Sequence, residues 1–468
     1  VNLKEKFAER FGLIEIYHAT LKRRVPNTPW YLGDGASLTA LLLIQIITGI
    51  VMTLYYDNSI DNAYKSVQYI TYQVYFGNII RGMHYWSAGM MVVMITIHIF
   101  RHLLLGGYKA PREGTWIVGV FLLFMVITMS YTGYILRWDE EALYATGIAF
   151  NILRYIPVIG ENLIILLQGG SSPGQLTLSR FFSLHIWIVP LFLISLVIFH
   201  FYLVIIHGVT HRGEWVHNVN NFERHKIIYK KASQSEDSGQ WFYPDAMFAS
   251  GIIAFLTICI VFFLTIVNGP PELLPEANLI RTSKPEEEWW FAWFSALVAL
   301  TPPSLAPHLH LLFPILFFIV LLLLPVLDRG ANRGIKKRPF WLVIVVLSTL
   351  SILYLTDLRR KSPWTGWPDK TPPPAPKEIA LNDMARKGQL LFARYGCNSC
   401  HAISSNGRSV GPDLARLDHQ ISPSELQAYI LDPPSNVSMP GYRDKISDSD
   451  LKALVEFVLV AQTFPRNY

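Results

Sequence analysis

Seven stretches of this 468-residue chain are apolar enough to cross a lipid bilayer, at roughly 34–55, 79–105, 115–136, 179–207, 246–267, 308–328 and 339–357. A helix of about 20 residues spans the ~30 Å of hydrocarbon, where every backbone polar group must be satisfied within the structure. These lengths suit helices, so the chain is read as an all-α membrane protein. Charged residues make up only 16% of the sequence and collect at the ends of the apolar runs. A soluble enzyme with two or three ordinary cores is thereby excluded. The net charge of +6 forms no nucleic-acid motif, and no nucleic-acid partner is expected.

The spans fall into a group of four and a group of three, separated by a polar stretch at 208–244. Residues 139–172 are apolar but broken by Pro157, Gly160 and a Gly-Gly-Ser-Ser-Pro run, which predicts short helices lying at the membrane surface. Lys and Arg favour the cytoplasmic side of short loops. Nineteen lie in 1–31, 101–114, 208–232 and 329–338, against seven in 56–81, 137–180 and 270–305. The N-terminus is therefore expected in the cytoplasm of a bacterial inner membrane, with everything after residue 358 on the outer side. The opening VNLKEKFAERFG lacks the features of a cleavable signal, so the spans themselves would carry the outer part across. Four regions follow: a bundle at 1–210, a three-helix part at 211–360, a linker at 361–379 and an outer domain at 380–468. The linker contains TPPPAPK, Thr371 to Lys377, a stiff extended spacer.

Polar residues inside spans are costly and mark function. The second span carries His84 and His98, 14 apart, and the fourth His185 and His200, 15 apart. At 1.5 Å per residue each pair is separated by about 21–22 Å and lies within about 40–60° of one helix face. The two spans run the same way, so His84 pairs in depth with His185, and His98 with His200. Facing imidazoles at one depth are the axial ligands of a haem. One intramembrane histidine alone is as readily a hydrogen-bonding partner between helices. Four at matched depths favour two haems b, stacked across the bilayer with irons about 20 Å apart. Gly35 and Gly49 on the first span, and Gly119 and Gly133 on the third, repeat the spacing of 14. Each haem could rest against one glycine from each helix, although small-residue helix packing accounts for any one of them. Arg81 and Arg180, just before His84 and His185, would pair the propionates of the outer haem, and Arg101 those of the inner one. His102, His207 and His211 lie at the inner ends and are read as interfacial.

Only three cysteines occur. Cys259 sits in an apolar run and reads as a buried small hydrophobe. Cys397-Asn-Ser-Cys400-His401 is the attachment motif of haem c, with two thioethers and His401 as proximal ligand. A redox pair or half a zinc site are the alternatives, but there is no second cysteine pair. Met439 is the candidate sixth ligand, with Met384 the weaker choice because it precedes the motif. Two helices, about 422–432 and 447–462, should close this domain.

Residues 20–205 resemble cytochrome b of the bc and bf complexes, in the shorter split form. The resemblance rests on SVQYI, RGMHYWSAGMMVVMITIHIFR, KAPREGTWIVG, YTGYIL, IPVIG and LTLSRFFSLH, and on the histidine spacing. Residues 240–358 resemble the three-helix subunit that completes that form. The pattern RKGQLLFARYGCNSCHA…GPDL…MPGY…LVEFVL resembles small monohaem cytochromes c. Gly33 stands where the split form often has a cysteine binding an extra haem, so no fourth haem is expected. Glu288, within Pro285-Glu286-Glu287-Glu288-Trp289-Trp290, aligns with the family's proton-accepting glutamate, although the flanking proline and tyrosine positions differ. Arg137 replaces a proline usual after the third span.

The resemblance implies a quinol–cytochrome c oxidoreductase of a respiratory or photosynthetic chain, coupled to proton translocation. Quinol would be oxidised at the outer face, one electron leaving through a Rieske iron–sulfur protein and the haem c, the other crossing to reduce a quinone inside. No iron–sulfur ligand set remains in this chain, so the Rieske protein would be a separate subunit. A downstream cytochrome or oxidase, membrane lipid and a homodimeric complex are further implied partners. The rival readings are a Rieske-independent quinone reductase fed by the haem c, and an anchored electron-transfer module without quinone chemistry.

Overall fold

A computed structural model describes residues 7–8, 10–27, 33–170, 172–211, 219, 221–277, 288–302, 305–330, 332–361, 372–376, 379–399, 401–404, 406–407, 412–417, 421–434, 439, 441–443 and 446–464. Pro285, Glu286, Glu287 and Cys400, and the ends of the TPPPAPK segment, lie outside them. Its middle, 372–376, is described and forms neither helix nor strand.

The apolar runs are helical, in this order: α1 (Leu13–Thr20), α2 (Asp34–Thr53), α3 (Ala63–Tyr72), α4 (Gly77–Leu105), α5 (Glu113–Ile135), α6 (Glu140–Arg154), α7 (Gly160–Gln168), α8 (Gln175–Ser183), α9 (Val189–His207), α10 (Phe222–Gln234), α11 (Met247–Asn268), α12 (Ala292–Ala299), α13 (Ala306–Leu327) and α14 (Pro339–Lys361). Among the described residues seven helices are long and apolar enough to cross a membrane: α2, α4, α5, α8 running on into α9, α11, α13 and α14. The protein is an all-α, multi-pass membrane protein. Among the described residues the strands are small antiparallel ribbons, β1 (Arg24–Pro26) with β2 (Gly239–Trp241), and β3 (Ala402–Ile403) with β4 (Asn406–Gly407).

Two compact units arise from non-contiguous pieces: 1–138, 161–274 and 314–351 in one, and 139–160, 275–313 and 352–468 in the other. In the first, α2 packs on α4, α5 on α9, and α11 on both α2 and α4. Leu41, Met91, Met94, Val126, Leu193 and Val261 form a buried apolar cluster there. In sequence Leu41, Met91, Val126 and Leu193 fall midway, to within a residue, between the two histidine or glycine positions of their helices. Leu43, Ile47, Phe121, Phe124, Leu191 and Phe255 point outward and exposed, the apolar surface that lipid covers. Cys259 is also exposed, which corrects its reading as buried. A lipid-facing position is as apolar as an interior one, so composition cannot separate them.

In the second unit, the last three helices are α15 (Asp383–Arg394), α16 (Pro423–Leu431) and α17 (Asp448–Ala461). Each starts at a side-chain cap: Asn382 accepts from the Ala385 amide, Ser422 from Glu425 and Ser447 from Asp450, typically worth about 1 kcal/mol apiece. α15 and α17 cross through Phe392 and Phe457, whose rings stand 5.7 Å apart. Gly388 makes the crossing possible, because a Cβ there would lie 1.9 Å from the Ala453 carbonyl oxygen. Leu391, Ile403, Leu426, Leu454 and Val458 complete this core.

Candidate functional site

α4 is an uninterrupted helix and carries both His84 and His98. His185 sits in a π turn, Leu184–Ile188, closed by the Val189 amide bonding the Leu184 carbonyl, while His200 follows on regular α9. A π turn is a one-residue insertion into a helix and is frequent at functional sites. The 15 residues between His185 and His200 thus advance as 14 would. Both histidine pairs therefore keep the same phase along their helices.

The His84 and His185 rings are brought together with centroids 6.4 Å apart. Metal–imidazole bonds of about 2 Å, with about 1 Å more to each ring centre, set two axial imidazoles about 6 Å apart. The gap is that of a bis-histidine iron. The ring tautomers are fixed as well. Thr48 Oγ1 lies 2.9 Å from His84 Nδ1 and donates its own proton to the Ile44 carbonyl at 2.6 Å. Thr132 Oγ1 lies 3.0 Å from His185 Nδ1 and donates to the Thr128 carbonyl at 2.9 Å. With each hydroxyl proton committed, the oxygen accepts from Nδ1–H, and Nε2 keeps the lone pair that binds metal.

The glycines stand against these rings. A Cβ on Gly133 would fall 2.5 Å from His185 Cε1, one on Gly49 3.5 Å from His84 Cε1, and one on Gly119 3.6 Å from His200 Cε1. Beside Gly35 there is open space out to 4 Å. The glycines thus admit the imidazole rings close to the opposing helices, and at Gly133 nothing larger fits unmoved.

His98 meets different chemistry. Its Nδ1 is 3.2 Å from Asp34 Oδ1, and Arg101 Nε is 2.9 Å from Asp34 Oδ2. Arg101 also reaches His102 Nε2 at 3.0 Å. Arg81 is buried and donates to Thr71 Oγ1 at 3.1 Å and to the Pro271 carbonyl at 2.8 Å. Arg180 donates to the carbonyls of Ile165 and Leu166. His207 Nδ1 lies 3.4 Å from Thr115 Oγ1, and His211 is buried beside the Tyr229 ring.

In the last domain, His401 Nδ1 donates to the Pro412 carbonyl at 3.0 Å, and the His401 amide to the Cys397 carbonyl at 2.9 Å. A carbonyl can only accept, so this ring too presents Nε2. Burial lowers the His401 pKa, partly offset by that hydrogen bond, which favours the neutral imidazole that ligates metal. Cys397 and Met439 both pack against the apolar core. Glu288 lies at the turn leading into α12, its carbonyl accepting from the Phe291 amide at 2.7 Å.

Sequence reasoning missed Thr48, Thr132 and Asp34. Each directly precedes one of the spaced glycines, and that adjacency was the available signal. At the fourth position the residue before Gly119 is Val118.

The family model described as cytochrome b/b6/petB matches residues 22–209. The model described as cytochrome c oxidase, cbb3-type, subunit III matches residues 383–458. Cytochrome b6 of Synechococcus elongatus is 42% identical over 207 residues, 44% of this chain and 95% of its own length. Cytochrome b6 of Auxenochlorella protothecoides is 41% identical over 206 residues, with the same coverage. A solved structure titled hyperthermophilic respiratory Complex III superposes with a TM-score of 0.63 at 26% identity, covering 84% of this chain and 96% of that one.

Proposed function

We propose that this chain, which belongs to the cytochrome b/b6 family, is the electron-carrying core of a quinol–cytochrome c oxidoreductase with two haems b and one haem c. Its kinship to cytochrome b and its cytochrome c domain already make it a subunit of an oxidoreductase complex in quinol–cytochrome electron transfer, using haem b and haem c. The observation that carries the finer reading is the facing of His84 and His185 at 6.4 Å with both Nδ1 atoms engaged.

The haems, once bound, supply single-electron transfer between the two faces of the membrane. His84 and His185 would hold one and His98 and His200 the other. Cys397 and Cys400 would attach the third, with His401 and Met439 as its axial ligands. Gly35, Gly49, Gly119 and Gly133 would admit the flat groups, and Arg81, Arg101 and Arg180 would serve the carboxylates of the first two. Glu288 would take a proton from quinol and release it outside, a task suited to a carboxylate of raised pKa. The excess of Lys and Arg in alternate loops supports a cytoplasmic N-terminus and an outer cytochrome c domain. A Rieske protein is the separate high-potential acceptor in this reading, and the complex is a dimer.

Acidified acetone should release two non-covalent haems per chain and leave one attached. Fewer than two released would overturn the haem assignment. With haem content intact, Glu288→Gln should slow quinol oxidation about a hundredfold or more. Unchanged turnover would remove Glu288 from the reaction.

A further inference from the structure

We propose that Asp34 is a positioning residue for His98, holding the Nδ1–H of that imidazole with a carboxylate and so setting the electron affinity of the haem that His98 ligates. The proposal rests on the reading of His98 as a haem ligand, and it concerns a residue outside the histidine, glycine and arginine pattern. Asp34 begins α2 and is only 3% exposed. Its Oδ1 accepts from the Gly35 amide at 2.9 Å and lies 3.2 Å from His98 Nδ1. Its Oδ2 is 2.9 Å from Arg101 Nε, an electrostatic contact without hydrogen-bond alignment.

Two groups thus approach one ring nitrogen, since Arg101 Nη2 also lies 3.4 Å from His98 Nδ1. A guanidinium only donates, and a carboxylate only accepts. Were Arg101 the true partner, Nδ1 would be the bare nitrogen, Nε2 would carry the proton, and the ring could not bind iron through Nε2. The carboxylate oxygen is the nearer of the two, an ion-pair contact at 3.2 Å, and is taken as the acceptor of Nδ1–H, with Arg101 pairing the other oxygen. A carboxylate behind a ligating imidazole makes it a stronger electron donor and favours the oxidised metal. The matching neighbours of His84 and His185 are neutral hydroxyls. The His98 imidazole is thus backed by a carboxylate that Arg101 pairs, whereas the His84 and His185 imidazoles are backed by uncharged hydroxyls.

The test is a redox titration of the intact complex, followed in the b and c absorption bands. Asp34→Asn removes the charge but keeps an acceptor of similar shape. It should raise the midpoint of the b component that His98→Ala deletes, by at least a tenfold change in the one-electron equilibrium, about 59 mV. Asp34→Glu should restore the midpoint toward wild type, and the other b haem and the haem c should not move. Two b haems with unchanged midpoints in Asp34→Asn would overturn the proposal. So would a shift confined to another haem. If Asp34→Asn loses that haem while Asp34→Glu keeps it, the carboxylate's positioning role stands; loss in both variants overturns it. Fewer than two b haems in the wild type would instead defeat the underlying reading of His98.

Discussion

At the end of the bundle that carries His84 and His185, the polar partners are neutral acceptors: the Thr48 and Thr132 hydroxyls, the Pro271 carbonyl on Arg81 and the Gly269 carbonyl on Trp86. At the end that carries His98, they are charged. Asp34 faces His98 and Arg101, and just beyond α4 Asp328 is bonded by Lys109 at 2.7 Å and by Arg338 at 3.0 Å. One fold thus positions equivalent histidines by two kinds of chemistry. Hydroxyls fix a tautomer with little field, whereas carboxylates fix it and also bias the charge of whatever the ring binds. The difference teaches that repeated histidine spacing does not imply repeated electrostatics.

The largest expected effect removes one layer outright. His185→Ala should abolish the haem shared with His84, roughly halving the extractable non-covalent haem, while the His98 layer keeps its own. Pyridine haemochrome quantification checks this. A loss of both haems would show that the two layers are not independent sites. Gly133→Ala comes next, because its methyl would sit 2.5 Å from the His185 ring. Overpacking of that kind costs about 1–3 kcal/mol. Gly119→Ala meets His200 at an ordinary 3.6 Å and should be far milder. Equal haem occupancy in the two variants would contradict the cradle geometry.

A smaller effect separates the two ends by pH. Burial raises the Asp328 pKa, but hydrogen bonds from Lys109 and Tyr108 and the charges of Lys109 and Arg338 outweigh it and hold it at about 2. A carboxyl held below its ordinary value of about 4 adds stability above that pH and loses it as pH falls toward the folded value. Asp328→Asn should therefore lower the melting temperature by a few degrees at neutral pH. The gap to wild type should close between about pH 4 and pH 2. A gap that persists at pH 2 would mean that packing, and not charge, is what the substitution removes.

The histidines, the glycines and the seven spans could be seen in the sequence because each is a one-dimensional property, a run or a spacing along a single helix. The closing helices of the last domain were visible for a related reason, since Ser422 with Pro423, and Ser447 with Asp448, announce their starts. Thr48, Thr132 and Asp34 each act across a helix pair, and the one signal along their own helices, a place directly before a spaced glycine, does not tell a bonded side chain from a solvated one. On an unbroken helix the 15-residue spacing of His185 and His200 leaves the two about 60° apart around the axis. The π turn at Leu184–Ile188 absorbs the extra residue, and a backbone insertion of that kind has no signature in residue type. Cys259 shows the opposite limit, where an apolar residue on an apolar helix faces lipid or protein with equal ease.

The smallest effect is the sharpest test of the contrast between the ends. Thr48→Val and Thr132→Val keep the shape of the side chain and remove the hydroxyl that accepts from Nδ1–H. The ligand ring then loses one neutral hydrogen bond, a net contribution of about 1 kcal/mol. The haem at His84 and His185 should stay bound, and its midpoint should move by less than the tenfold equilibrium shift expected for Asp34→Asn. Removing an acceptor makes the imidazole a poorer donor, so the direction is again upward, and the double variant should move further than either single one. A redox titration resolves the three cases. If a lost hydroxyl moved its haem as far as the lost carboxylate moves the other, the charge on Asp34 would add nothing, and the two ends would differ only in the atoms that hold the ring.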